Sequence, residues 1–551
     1  MVGESERLAS AAVAKSTEPF DAVVVGGGHN GLVAAGLLAK RGARVTVLER
    51  RPKVGGAAVT EQPWGPEFKM TALSYVVSLM PPTVQRELQL DRHGYKIHPQ
   101  HGYFVPYPDG RSLQLSDDPG ARDAEISKFS PRDAEAMIRW EAWLGRLAAT
   151  LGPLLSEIPP RLGSKRPVDL LSQARLLWKV RDLDVGSVGD VTRLFTMSIS
   201  DLLDEFFESP QMQGVLAVSG VIGTWAGPRS PGTAYVMAHH QIGDVGDGQL
   251  GSWGFPEGGM GAVSDALRSA AESFGATIRT ESPVARILVR GDRVAGVALQ
   301  SGEEVRAEVV VAATHPRITF LEHLDRAELP LEFVDRIERW KSRSGTVKVN
   351  LALDRLPDFA SRPGFDPTVH GGTIVLAHSL DELEGAFQDA VGGRAATAPF
   401  ADICIPSVFD RTLAPEGKHV MSMFTQWVPH EWAGTPMTEE LDAYADRVVA
   451  RVEAVAPGFT ASILHRQVLG PYEMEHEYGL VGGNIFHGEL SPDQMFHMRP
   501  VPGWADFRTP IRGLYQASSA THGGGGVTGI PGLNAVRQIL HDRARTRLLR
   551  R

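Results

Sequence analysis

Cysteine is nearly absent, with Cys404 alone in 551 residues. One thiol forms neither an internal disulfide nor a Cys-x-x-Cys pair, which excludes dithiol chemistry within one chain and suits a reducing compartment. Long hydrophobic runs are lacking too: no stretch approaches the roughly 18 apolar residues that span a bilayer. There is no excess of positive charge either, since 56 Lys and Arg face 65 Asp and Glu for a net of -9. Without a basic field, nucleic acid is not an expected partner. Residues 1–19 carry Glu4, Glu6 and Glu18 and lack a long apolar core, and read as a flexible tail rather than a secretory leader. His98 and His101 sit in a proline-glycine loop without an HExxH pattern or cysteine ligands, so no metal is expected. These absences describe a soluble, cytoplasmic chain, attached at most to the surface of a membrane.

Glycine is abundant, and its spacing carries the chemistry. An apolar run, Ala22 to Val25, empties into Gly26-x-Gly28-x-x-Gly31, followed by a helical stretch and a second strand, Arg44 to Leu48, ending in Glu49. The glycines permit a tight turn, close approach of backbone amides to a pyrophosphate, and packing of the helix on the sheet. His29 and Asn30 lie inside this turn and count among its cofactor contacts. Glu49 follows Gly31 by 18 residues, the spacing of a carboxylate that binds a ribose hydroxyl and disfavours a 2′-phosphate.

The residues after the acid, Arg50, Arg51, Gly55, Gly56 and Ala57, resemble the second signature of two-dinucleotide-binding-domain flavoproteins. Far downstream, "GLYQASSATHGGGGVTG" (Gly513 to Gly529) is similar to the segment that closes over the ribityl chain and flavin ring in such enzymes. Three further stretches, "SPGTAY" (Ser230 to Tyr235) before His239-His240, "GSWGFPEGGMGA" (Gly251 to Ala262) and "GGNIFHGELSPDQ" (Gly482 to Gln494), resemble the phytoene-desaturase-related flavoproteins. The resemblance covers nearly the whole chain after residue 19.

It implies FAD as cofactor and an α/β fold in which a Rossmann-type, two-dinucleotide-binding FAD domain interleaves with an α+β substrate domain carrying a helical insert. It also implies that the backbone at Val284 reads adenine and that the strand ending at Thr314 passes beside the cofactor. Ser518 and Ser519 stand where many relatives place an acid, and their hydroxyls suit the ribityl chain or pyrophosphate. Gly524-x-Gly526-x-x-Gly529 lies too near the C-terminus to complete a second βαβ unit. Gly526, Val527 and Thr528 are therefore read as a flavin-facing loop, with a helix starting near Val527 whose positive end favours the anionic reduced flavin.

The expected division assigns 20–75, 251–325 and 501–551 to FAD binding, and 76–250 and 326–500 to the substrate domain. Apolar residues at helical spacing over 122–215 form the insert, broken by Pro153, Pro159, Pro160 and Pro167. A helix over Val263–Phe274, strands over Val284–Val289 and Val294–Leu299 joined at Gly291-Asp292, and a buried strand over Glu308–Thr314 follow. Alternation over Thr346–Leu353 suggests an antiparallel sheet. Leu170, Leu171, Ala174, Leu177 and Trp178, near Arg175, Lys179 and Arg181, fit a membrane-interfacial helix, but the simpler and preferred reading packs this stripe on the substrate domain.

With flavin supplying the redox chemistry, the protein holds a C–H bond against N5 and disposes of a proton. Desaturation of a hydrophobic, isoprenoid or lipid-like substrate is expected, with redox-neutral isomerisation as a variant; either needs a dry pocket. His487, His522 and His240 are the candidate proton handlers, against the plainer role of bonding a loop or the cofactor. An amine-oxidase-like enzyme and a flavin-bound regulatory protein are the competing functions.

Overall fold

The computed structural model describes residues 19–100, 102–181, 184–241, 243 and 252–549. The tail expected over 1–19 lies outside these residues apart from Pro19, as do His101 and Gly251. The opening strand, Phe20–Val25, is buried from Ala22 onward because helices cover one of its faces and the hairpin Val284–Leu299 with helix Leu331–Glu338 covers the other, which is why it reads as an unbroken apolar run rather than an alternation. It lies parallel to Val45–Leu48 on one side (Val24 opposite Val47) and to Glu304–Ala312 on the other (Val24 opposite Val311).

Glu304–Ala312 does double duty. Its first residues pair antiparallel with Arg293–Leu299, itself hairpinned to Val284–Arg290, and its last residues pair parallel with Leu514–Gln516 (Val311 opposite Tyr515). Thr277–Arg279 completes this seven-stranded sheet beside Val45–Leu48. The sheet therefore gathers strands from three separated stretches of chain. Helix His29–Lys40 packs against helices Met260–Ser273 and Ile530–Leu549 in one core with Val24, Val47 and Val311. Full burial of each such side chain contributes roughly 1.5–3 kcal/mol.

The second sheet also has seven strands, in the order 463–469, 346–353, 419–426, 400–404, 373–376, 103–106, 112–115. Thr346–Leu353 appears with the bounds expected, buried along its length and antiparallel to both neighbours. The sheet is not wholly antiparallel: Thr373–Leu376 runs parallel to Tyr103–Pro106 (Thr373 opposite Tyr103), because the hairpin 103–115 joins the edge from an earlier part of the chain.

Among the described residues, seven helices lie between that hairpin and residue 241. Asp118, Ser130, Asp184, Ser198 and Ser209 cap five of them, each accepting an orphan backbone N–H. Pro153 does not break the stretch; it sits in the last turn of Pro131–Leu155, and the interruption falls at 156–166. Pro167 opens the next helix, where its missing N–H costs nothing. The preferred packing of that helix, Pro167–Val180, needs correction. Gln173 anchors it through bonds to the Arg161 and Ser164 carbonyls, but Leu170, Leu171, Leu177 and Trp178 face solvent. No helix among the described residues is long and apolar enough to cross a membrane.

Candidate functional site

The glycine turn is built by steric exclusion. A Cβ on Gly31 would lie 2.1 Å from the Gly26 carbonyl oxygen, and Gly26 itself takes a φ of 97°. A Cβ on Gly28 would meet nothing within 4 Å, so this face of the turn stays open. Glu49 is 7% exposed, and its carboxylate accepts the Gly27 N–H at 2.7 Å and the Arg51 N–H at 2.9 Å, one on each oxygen. Lone pairs remain on both oxygens for a diol. Gly55 donates to the Gly27 carbonyl at 2.9 Å and joins the second signature to the turn.

The two arginines are committed to the protein. Arg50 donates to the His476 and Glu477 carbonyls, both at 3.1 Å, at the end of helix Pro471–Tyr478. Arg51 pairs with Glu61 and stacks 4.4 Å from the centre of the Tyr478 ring.

A cavity of about 390 Å³ runs from this turn to the second sheet. Every cofactor candidate named above lines it except Ser518 and Thr528. Ser518 is buried in its own turn, accepting the Ala520 N–H at 3.2 Å. The Thr528 hydroxyl donates to the Gly523 carbonyl and accepts the Ile530 N–H, so the last helix starts at Ile530 rather than near Val527. Asn30 Nδ2 donates to Ser519 Oγ at 3.1 Å and closes the two ends of the chain over the cavity. His29 Nε2, Asn30 Oδ1 and His487 Nδ1 are buried without partners. Because buried polar atoms are rarely left orphaned, three together on one cavity fit a polar, elongated cofactor such as FAD.

The three catalytic candidates part company. His487 lines the cavity in the left-handed backbone region (φ 58°), its carbonyl accepting the Trp340 indole N–H at 2.9 Å. Burial, then the neighbouring His29 and Arg499, push it down to about 3. His240 also lines the cavity; its Nδ1 bonds the Ser219 and Val236 carbonyls at 2.9 Å, and since carbonyls only accept, Nδ1 carries the proton. Burial lowers its pKa as well. His522 does not line this cavity. Its Nε2 donates to the Leu154 carbonyl at 3.0 Å, and the residue borders a second cavity of about 800 Å³ beside the last helix. His98 bonds the Glu257 carboxylate at 3.1 Å.

The second sheet contributes a cluster that sequence reasoning passed over. Lys348, in strand Thr346–Leu353, is 1% exposed; its Nζ donates to Ser422 Oγ at 2.6 Å and sits 4.3 Å from the centre of the Tyr75 ring. Burial lowers it to about 7. Asp402, in strand Phe400–Cys404, is raised by burial to about 7 against the pull of Lys348 and a hydrogen bond from Tyr75, and its Oδ1 has no partner. Lys348, Asp402, Tyr75 and Tyr103 all line the cavity, with Val218, Ile222, Phe424 and Ile485 as apolar walls. The polar positions of T-V-K-V-N-L-A-L look like a solvated face, and only the cover over both faces of this strand turns Lys348 inward.

Fold and site define an FAD-binding oxidoreductase with a second, polar-tipped wall facing its cofactor cradle. The chain belongs to the flavin containing amine oxidoreductases, whose family pattern matches residues 31–532. It is 42% identical to pyridine nucleotide-disulfide oxidoreductase domain-containing protein 2 of Rattus norvegicus, over 95% of this chain and 94% of that one. A limonene dehydrogenase polypeptide of Castellaniella defragrans is 26% identical over 95% of this chain and 94% of its own length. Among solved structures, cyclohexylamine oxidase from Brevibacterium oxydans shares the fold, with a TM-score of 0.58 at 18% identity, covering 96% of this chain and all of that one. The cofactor is FAD, and the enzyme is an oxidoreductase of the phytoene-desaturase-related kind.

Proposed function

We propose that this enzyme oxidises a C–H bond in a largely apolar, isoprenoid or lipid-like substrate that carries one hydrogen-bonding end. The observation that carries this reading is the buried group of Lys348, Asp402 and Tyr75 on the same cavity as the dinucleotide turn. Bound FAD supplies a two-electron acceptor. Residues 20–75, 251–325 and 501–551 hold it, through the Gly26–Gly31 turn, Glu49 and the Asn30–Ser519 contact; 76–250 and 326–500 shape the substrate chamber. Val218, Ile222, Phe424 and Ile485 exclude water from the reacting carbon.

Lys348 Nζ, unprotonated above about 7, accepts the proton that leaves the substrate, oriented by Ser422 Oγ. His487 and His240, held neutral by burial, orient groups rather than deliver protons from a cationic form. The name of the limonene dehydrogenase relative supports a terpene-like substrate.

Asp402 supports a second reading. Its unpartnered Oδ1, on the cavity that Tyr75 also lines, suits the cation of an apolar amine as well. Anaerobic mixing of the FAD-loaded enzyme with limonene and with cyclohexylamine tests both: bleaching of the flavin absorbance by the terpene alone supports the first reading, and bleaching by the amine alone supports the second. A flavin reduced by neither, nor by any ligand extracted from the purified protein, removes both.

A further inference from the structure

We infer that the outer face of helix Pro167–Val180 is a docking surface for a bilayer of acidic phospholipid. Twelve large apolar side chains are exposed among the described residues, and seven of them fall between 162 and 188. On this one helix Leu170 is 49% exposed, Leu171 55%, Leu177 68% and Trp178 64%. Their spacing of i, i+1, i+7 and i+8, with exposed Ala174 between, makes a single stripe about 100° wide. A globular helix turns such a stripe to the core, whereas here Gln173 and Leu176 on the opposite side face the protein.

The charges around the stripe select the occupant. Between 161 and 181, Arg161, Lys165, Arg166, Arg175, Lys179 and Arg181 face one acid, Asp169, in a chain whose net charge is -9. Arg161 is spent on Asp506 and Lys179 on Glu157, whereas Lys165, Arg166 and Arg175 are exposed, the last two also bordering the second cavity. A second copy of this chain docking through the same face would set these cations against themselves, because a two-fold interface pairs a patch with its own image. A negatively charged lipid surface takes both features at once, the cations at the phosphates and the apolar stripe below them. Trp178, with the Arg181 guanidinium 4.1 Å from its ring centre, has the amphipathic character of a residue at the water–lipid boundary. A helix with one apolar stripe and one polar face lies on a membrane and does not span it. The inference does not rest on the substrate assigned above.

Flotation of the full-length, FAD-loaded protein with vesicles of phosphatidylcholine, alone or mixed with phosphatidylserine, tests it. The expected result is flotation with the mixed vesicles, weakened by added salt, and little with phosphatidylcholine alone. Arg166→Gln and Arg175→Gln each weaken binding by about fivefold, the effect of one cation near an acidic surface. Leu177→Glu and Trp178→Glu abolish flotation while flavin absorbance and melting temperature stay at wild-type values. Any of three results overturns the proposal: no flotation with mixed vesicles, equal flotation with both compositions, or flotation that Trp178→Glu leaves intact. A doubled molar mass in solution that Leu177→Glu reverses assigns the face to a second copy instead.

Discussion

Asn30 Nδ2 donates a 3.1 Å hydrogen bond to Ser519 Oγ across 489 residues of sequence. The first residue stands at the N-terminus of the helix that follows the glycine turn, the second in the loop before the last helix, and both line the cavity. Two individually weak features therefore hold one another in place, and their effects on cofactor retention are coupled. Asn30→Ala and Ser519→Ala each speed FAD release, and a double-mutant cycle on the dissociation constants gives a coupling of about 0.5–3 kcal/mol. Strict additivity would show that this contact does not organise the cradle.

Gly28 and Gly31 belong to one fingerprint but fail differently. The methyl of Gly31→Ala collides with the Gly26 carbonyl, so the turn must open, and apo-protein stability drops by about 1–3 kcal/mol or more. The methyl of Gly28→Ala enters open space on the cavity side, so apo stability stays within about 0.5 kcal/mol while FAD affinity falls. Melting curves of both apo variants, with flavin titrations, separate the two roles. Equal loss of stability in both would refute the distinction.

What the sequence made legible was local. Gly26 to Glu49 is a compact strand, turn, helix and strand in which each residue's role follows from near neighbours, and these candidates line the cavity as a group. Thr346–Leu353 was legible as a strand, but not its cover on both sides, and Lys348 stayed hidden because a lysine alternating with valines looks solvated until the whole sheet is assembled. His522 misled for the opposite reason: lying in the loop nearest the cofactor says nothing about which way a ring turns, and a bond to the Leu154 carbonyl, 368 residues away, decided it. Ser518 and Ser519 show the same limit at single-residue scale, since one hydroxyl closes its own turn and only the other reaches Asn30.

His487 combines a left-handed backbone, a buried Nδ1 without a partner and a pKa pushed down to about 3. It is neutral throughout the working pH range, which suits a hydrogen-bonding and positioning role at the cofactor. His487→Ala is expected to slow flavin reduction by substrate while FAD stays bound, without moving the pH dependence between 6 and 9 that belongs to groups titrating near 7 (about one unit wide on each side). Rapid-mixing absorbance measurements across that range check it, and unchanged reduction kinetics would strike the residue from the site.

Lys348 makes the sharpest prediction because its two consequences have opposite signs. Burial lowers its pKa to about 7 from 10.5, so below about 7 the amine is protonated and unable to take a proton, and above it the amine is free. The rate of flavin reduction should rise about tenfold per pH unit up to that value and then level. Lys348→Met removes the limb and lowers the plateau by about 10²–10⁴-fold. Stability goes the other way. Between about 7 and 10.5 the unfolded chain holds a proton that the folded chain lacks, so this lysine costs stability at all pH below 10.5, fully so below about 7, and the cost fades as pH rises between the two values. Asp402, raised to about 7 from 3.8, behaves inversely: its cost grows as pH rises from 3.8 and is complete above about 7. Near pH 6 Asp402 is mostly protonated and leaves no buried anion unpaired, so Lys348→Met stabilises the protein there, on the order of 1–4 kcal/mol, with the gain shrinking toward pH 10. Melting temperatures and reduction rates of one variant across this range read both signs together. A variant that reduces flavin at near wild-type rate at pH 8, or melts lower than wild type at pH 6, would place the working base elsewhere on the cavity wall.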